Sequence, residues 1–181
     1  MADDRPTEPP PSPAAAAAAT HLPRQSALLR DLLHRRRVAA LATRDAAGDP
    51  AVSQVPYAID AASATLVVHL IALSAHTAQL AAAPRAALLI GEGEVAGEPV
   101  HALARVSLAV DAATPAAGSA DEAAARAAYI ARFPEAAFMT GLGDFRFVRL
   151  RPVAGRHIAG FGAARAVDAD ELAWVLGGGA P

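Results

Sequence analysis

The sequence predicts a mainly β domain with peripheral helices, an α+β chain organised as a small β-barrel, and three observations carry that expectation. Short apolar runs of strand length recur between Val38 and Phe161, separated by turn residues. Most fall in neighbouring pairs joined by short loops, the pattern of hairpins. Helical periodicity is confined to the first and last segments and to the stretches after Ser74 and Ser119, so helices are plugs on a strand-rich body.

In chain order, Arg24 to Arg37 is an amphipathic helix, with Leu28, Leu29, Leu32 and Leu33 on one stripe and Arg35, Arg36 and Arg37 at its carboxyl end, where cations complement the dipole. Val38 to Thr43 is a short apolar strand; Asp45 to Pro50 supplies a turn, and Ala51 to Ile59 completes a hairpin. Thr65 to Leu70 and Ala86 to Ile90 are strands flanking a helix from Ser74 to about Ala83. A glycine-rich, acidic loop from Gly91 to Pro99 leads into a long strand, Val100 to Val110. Ser119 with Glu122 forms a capping box opening a helix to about Arg132, and Phe133 to Gly143 is a short helix or loop. Strands follow at Phe145 to Leu150 and at about His157 to Phe161, and Asp168 with Glu171 caps a last helix containing Trp174. The domain therefore spans residues 24 to 176, between a Pro- and Ala-rich tail over residues 1 to 23, expected to be disordered, and a frayed end over residues 177 to 181.

With 181 residues, a formal net charge of −2 and 54% hydrophobic residues, the chain can bury one ordinary core. The near-neutral balance argues against a nucleic-acid partner, whose grip would need a basic surface. Cysteine is absent, which removes disulfides, thiol nucleophiles, iron–sulfur clusters and Cys-type zinc sites. Lysine is absent too, all 16 Lys-or-Arg positions being arginine, so a Schiff-base lysine is excluded. Ala61 to Pro84 contains no Asp, Glu, Lys or Arg, yet His69, Ser74, His76, Thr77 and Gln79 interrupt it, and it does not read as a bilayer span. The first 23 residues lack the basic start and leucine-rich stretch of a signal peptide. A cytoplasmic protein with no membrane partner is the expectation.

The stretch from Leu66 to Ile90 carries the most chemistry. A strand opens there into a helix through Ser74, Ala75, His76 and Thr77, and a helix start with hydroxyls and an imidazole suits an anion, because free backbone N–H groups and the dipole point at it. Plain capping uses the same residues, so both uses stay open. Gly91, Gly93 and Gly97 imitate a dinucleotide fingerprint, but their GxGxxxG spacing among Glu92, Glu94 and Glu98 reads as a loop. GxSxG, Walker A, HExxH and EF-hand patterns are missing, which leaves no hydrolase or nucleoside-triphosphatase signature. His69, His76, His101 and His157 fall on different elements, so no metal site is legible, and His101 reads as solvated. Arg105, a charge within the apolar alternation of ALARVSL, faces solvent, a cofactor or a neighbouring protomer. Gly160, Phe161 and Gly162 form either a tight turn with a core Phe or a backbone that lets a flat ring approach.

In their order, the segments LLRDLLHRRRVAALATRDAAGDPAVSQVPY, LIALSAHTAQLAAAPRAALLI, GEPVHALARVSL, YIARFPEAAF, GDFRFVRLRP and GFGAA resemble the FMN-binding split-barrel superfamily that includes pyridoxamine 5′-phosphate oxidase, and more closely its haem-utilisation, HugZ-like branch. They cover about residues 26 to 166. The resemblance implies an FMN-binding split β-barrel and a homodimer with flavin at the subunit interface. It implies an FMN-dependent oxidoreductase whose small-molecule substrate or electron donor is unidentified; the alternative is a haem- or flavin-binding module without turnover. By position it implies Val55, Pro56 and Tyr57 along the isoalloxazine-facing strand, Ser74, His76, Thr77 and Gln79 at the phosphate, and Arg105, Phe161 and Gly162 from the other protomer. It identifies no catalytic residue and no metal ligand. Ala75 and His76 stand where the oxidase has consecutive Arg and Lys, and Ile71 and Gln79 stand where the closer branch has Ser and Asn. The haem-degrading members carry an axial histidine in a C-terminal segment; no histidine follows His157 here, so haem, where bound, is expected to lack that ligand.

Overall fold

Among the described residues, eight strands pair antiparallel into one sheet in the order β2 (Pro50–Pro56), β1 (Val38–Arg44), β5 (Arg85–Gly91), β6 (Arg105–Ala113), β7 (Phe145–Ile158), β4 (Thr65–Ile71) and β3 (Ala58–Asp60), with β8 (Ala164–Val167) paired to β7. The computed structural model describes residues 13–177, with side chains from Arg24 onward; the parts of the expected tails before Pro13 and after Gly177 lie outside the described residues. The elements are α1 (Pro13–Arg35), β1 (Val38–Arg44), β2 (Pro50–Pro56), β3 (Ala58–Asp60), β4 (Thr65–Ile71), α2 (Ala75–Ala82), β5 (Arg85–Gly91), β6 (Arg105–Ala113), α3 (Ala120–Arg132), β7 (Phe145–Ile158), β8 (Ala164–Val167) and α4 (Ala169–Leu176). The two ends of the sheet order, β2 and β3, are successive parts of one segment joined by Tyr57 alone. A sheet whose first and last strands are joined covalently by one residue must curl, and the result is the split barrel.

Several boundaries differ from the sequence reading for identifiable reasons. Helix α1 begins at Pro13 and not at Arg24, because the alanine run is the best helix former available and proline suits a first turn. The expected strand Ala51 to Ile59 breaks at Tyr57, whose N–H turns to the Arg37 carbonyl and whose hydroxyl donates to the Leu33 carbonyl at 2.7 Å. Val100–Ala102 is a short 3₁₀ turn, and the strand expected from Val100 starts only at Arg105. The two strands expected after Phe145 are one 14-residue strand, β7. Pro152 interrupts its apolar pattern, but the register against β6 passes from Ala109↔Ala154 to Val110↔Pro152, so Val153 bulges and the proline is accommodated beside it. The short edge strand β8 was not legible, and Phe161 with Gly162 forms the turn that leads into it.

Inside the barrel, Leu29, Leu32 and Leu33 of α1 close one end against Leu41, Leu88, Ile90, Val106 and Leu108, while Leu172, Val175 and Leu176 of α4 pack alongside. Leu28 points away from this stripe and is exposed. Each fully buried Leu contributes about 1.5–3 kcal/mol. Strand β4 is buried on both faces: Leu66, Val68 and Leu70 enter the barrel, while Val67 packs under α3 with Tyr129, Phe133 and Phe147. This explains why TLVVHLI lacks alternation.

Two polar latches hold the helices. Arg149 on β7 reaches Asp60 at 2.6 Å, Ser63 at 2.7 Å and Thr65 at 3.0 Å, and its Nε and Nη2 meet the Asp121 carboxylate and carbonyl at 2.6 and 3.0 Å, tying α3 to the sheet. Burial alone would raise the Asp60 carboxyl; the hydrogen bonds from Arg149 and Ser63, the Arg149 charge and the Ala62 N–H outweigh it and hold it below the usual range. At α4, Glu171 receives both Arg165 Nη groups, at 2.6 and 2.5 Å, and the Ser26 hydroxyl at 2.5 Å, joining β8, α4 and α1.

Candidate functional site

Strand β4 ends at Ile71 and the chain turns into α2, whose cap residue Ser74 has extended backbone. Its hydroxyl does not cap. It lies 2.9 Å from the Ile71 carbonyl, the Thr77 hydroxyl lies 2.8 Å from that same carbonyl, and the two hydroxyls are 2.8 Å apart. Two protons cannot serve three contacts, so one hydroxyl can turn to an external oxygen while Ile71 keeps a donor. The backbone amides of Ala75 and His76 make no backbone hydrogen bond among the described residues, as expected of a first helical turn. The His76 Nδ1 lies 3.1 Å from the Ser53 hydroxyl on β2, and burial holds this imidazole below the ordinary histidine range. With Ser53 donating to Nδ1, the ring proton sits on Nε2, available to an acceptor.

Besides the His76–Ser53 contact, two interactions hold helix α2. Leu80 is buried in the barrel, and the Gln79 side-chain carbonyl accepts the Thr43 hydroxyl at 2.6 Å. Gln79 is therefore committed to β1 through its oxygen. Val55 and Tyr57 also face inward: both are core residues, and burial pushes the Tyr57 phenol upward. Pro56 between them is exposed.

An open cleft of about 720 Å³ runs over the outer face of β1, β2 and β5, and the Val100–Ala102 turn forms another wall. Its apolar surface comes from Ala40, Val52, Leu89, Val100 and Leu103, and Ser53 belongs both to this lining and to the α2 site. Arg105, the first residue of β6, lines the cleft and donates to the Leu103 carbonyl at 3.0 Å. It pairs with Gly91, and a Cβ there would stand 3.3 Å from the Arg105 Cβ, so glycine allows the close approach of the two strands. Phe161, 88% exposed, and Gly162 lie on the β7–β8 turn and do not line the cleft. The fold thus brings together Ser74, His76 and Thr77, sets Arg105 in the adjoining cleft, and sends Val55 and Tyr57 into the core. Sequence reasoning missed Ser53, Gln54, Arg36 and His101 as lining residues; for the first two, the polar pair inside PAVSQVP was the available signal.

A family model for pyridoxamine 5′-phosphate oxidase matches residues 26–159. The chain belongs to the pyridoxamine 5′-phosphate oxidase family. Within that family its relatives lie on the HugZ-like branch. It is 35% identical over 118 residues to HOZ, a chloroplastic heme oxygenase of Arabidopsis thaliana, a match covering 65% of this chain and 34% of that protein. The chain thus spans about a third of the length of that plant relative. A haem-binding protein from Mycobacterium smegmatis superimposes with a TM-score of 0.74 at 29% identity, over 83% of this chain and 60% of the other. HutZ, the haem storage protein of Vibrio cholerae, gives a TM-score of 0.61 at 23% identity, over 74% and 88% of the two chains, and shares the fold. Among the described residues no helix is long and apolar enough to cross a membrane.

Proposed function

We propose that this family member is an FMN-binding oxidoreductase acting as a homodimer, on a small-molecule substrate or electron donor not yet identified. The observation that carries the reading is the convergence at the α2 start of two free amides, the Ser74 and Thr77 hydroxyls and the His76 imidazole, beside the cleft. These groups fit a phosphate: each is a donor, and none carries a negative charge. Bound flavin would supply hydride or electron-pair transfer through its N5. The protein's part is to hold the phosphate at α2, to keep α2 fixed through Thr43 and Gln79, and to offer an apolar wall to the flat ring. Arg105, Phe161 and Gly162 are proposed to meet the cofactor of the partner protomer.

The test is FMN titration by fluorescence quenching, with riboflavin as the control lacking phosphate. A hydrogen bond to a charged oxygen is worth about 1.5–3 kcal/mol, so Ser74→Ala, His76→Ala and Thr77→Val should each weaken FMN about tenfold or more and leave riboflavin unchanged. Because the free imidazole is held neutral and a bound phosphate would favour its cation, FMN affinity should rise as the pH is lowered from about 8 toward about 6. Equal wild-type affinities for FMN and riboflavin would defeat the phosphate assignment.

A second reading is a haem- or flavin-binding module without turnover. It is favoured by the haem-binding relative from Mycobacterium smegmatis, while the plant heme oxygenase supports haem as the ligand but not the lack of turnover. Bound colour with no reduction of the flavin by candidate electron donors would select it.

A further inference from the structure

The described histidine side chains sort sharply by access. His157 is 1% exposed, and neither ring nitrogen finds a hydrogen-bond partner. His69 is 9% exposed and stacked against Phe145 and Phe147, with ring centroids 4.8 and 4.4 Å away. His34 uses Nε2 on the Val175 carbonyl at 3.1 Å, and His76 uses Nδ1 on Ser53. His101 differs from all four. It is exposed, sits on the Val100–Ala102 turn, makes no side-chain hydrogen bond among the described residues, and lines the 720 Å³ cleft.

The same cleft holds two arginines that no carboxylate neutralises among the described residues. Arg36 has no ion-pair partner among the described residues, and its Nε is buried without a hydrogen bond. Arg105 spends a side-chain hydrogen bond on the Leu103 carbonyl. Of the two acidic residues at the rim, Glu92 is paired with Arg35, and Glu94 remains exposed. An apolar wall, two unneutralised guanidiniums and a free imidazole suit a flat apolar ligand that carries two anionic groups and a metal. The volume lies within the range of cofactor clefts, about 300–1,000 Å³.

We infer that this cleft is an iron-tetrapyrrole site in which His101 supplies the axial nitrogen and Arg36 and Arg105 receive the two propionates. The inference rests on the haem-binding reading and takes the axial ligand from the turn before β6, which lines the same cleft as β1 and β2. Neutral imidazole is an ordinary ligand to haem iron, and guanidinium pairs with carboxylate in a fixed fork.

Ferric haem titrated into the full chain tests it, read by the Soret band, by electron paramagnetic resonance and by dissociation constant, with FMN titrated in parallel. The wild type should bind one haem per chain with a nitrogen-ligated spectrum. His101→Ala should lose that spectrum, weaken haem at least about tenfold, and regain the signature when imidazole is added. Arg36→Leu and Arg105→Leu should keep the spectrum and weaken haem several-fold, and haem dimethyl ester should bind the wild type as weakly as haem binds these variants. A His101→Ala protein with wild-type spectrum and affinity would overturn the ligand assignment. A wild type that binds FMN but no haem would overturn the site and leave the flavin reading standing, whereas failure to bind either would remove both.

Discussion

The two halves of the sheet are finished differently. Where β3, β4 and β7 run together, α3 covers the outer face, Val67, Tyr129, Phe133 and Phe147 fill the layer beneath it, and Arg149 spends its donors on Asp60, Ser63, Thr65 and Asp121. Where β1, β2 and β5 run together, no helix among the described residues covers the outer face; Val52 is 70% and Leu89 46% exposed, and the polar groups at its margin, Arg36, His101 and the α2 start, keep unspent bonding capacity. Saturated polar groups under a helix hold structure. Unsaturated ones beside an exposed apolar surface are where a ligand or a second copy can bind.

The largest effect that would sharpen this contrast lies in the covered half. Arg149→Leu leaves Asp60 buried without its cation, and breaking such a pair costs about 3–5 kcal/mol. The melting temperature should fall by roughly 10 °C for a chain of this size. A fall of less than about 2 °C would mean that apolar packing alone holds α3.

Acid should loosen the same half by a somewhat smaller amount. Burial, with the nearby Arg126 charge, lowers the His69 pKa to about 4 from 6.5. The folded chain therefore favours the neutral ring, so this contribution is complete above about pH 6.5 and is lost as the pH falls toward about 4, on the order of 3 kcal/mol in all. Burial lowers His157, His76 and His34 in the same direction. Urea denaturation across this window should show falling stability in the wild type and a shallower fall in His69→Leu; identical slopes would assign the acid sensitivity elsewhere.

The bare half should respond least in folding and most in assembly. Val52→Arg and Leu89→Arg put charge on an already exposed surface, so chain stability should stay within about 0.5 kcal/mol of wild type. Light scattering should then show the proposed dimer giving way to monomer. A dimer that survives both substitutions would remove this face as the interface.

Much of the fold was legible from local pattern. Leu29, Leu32 and Leu33 at helical spacing announced α1, Ser119 with its bond from the Glu122 N–H and Asp168 with its bond from the Glu171 N–H opened α3 and α4, and the turn at Asp45 to Pro50 joined β1 to β2. The site was half legible. Ser74, His76 and Thr77 stood together in sequence, but Ser53, 23 positions before His76, entered only through β2, and Gln79 proved to be bound to Thr43, 36 positions away.

By itself the sequence determined which segments extend, which coil and where most of them start, because periodicity and capping act within a few residues. The tertiary structure decided which faces are covered. Tyr57 bends one segment into β2 and β3, the curled sheet carries Arg149 to Asp60 across 89 positions, and the same curl leaves His101 facing an open cleft while it encloses His157. Side chains of one type thereby acquire opposite roles, because exposure depends on register and closure, which no short window of sequence contains.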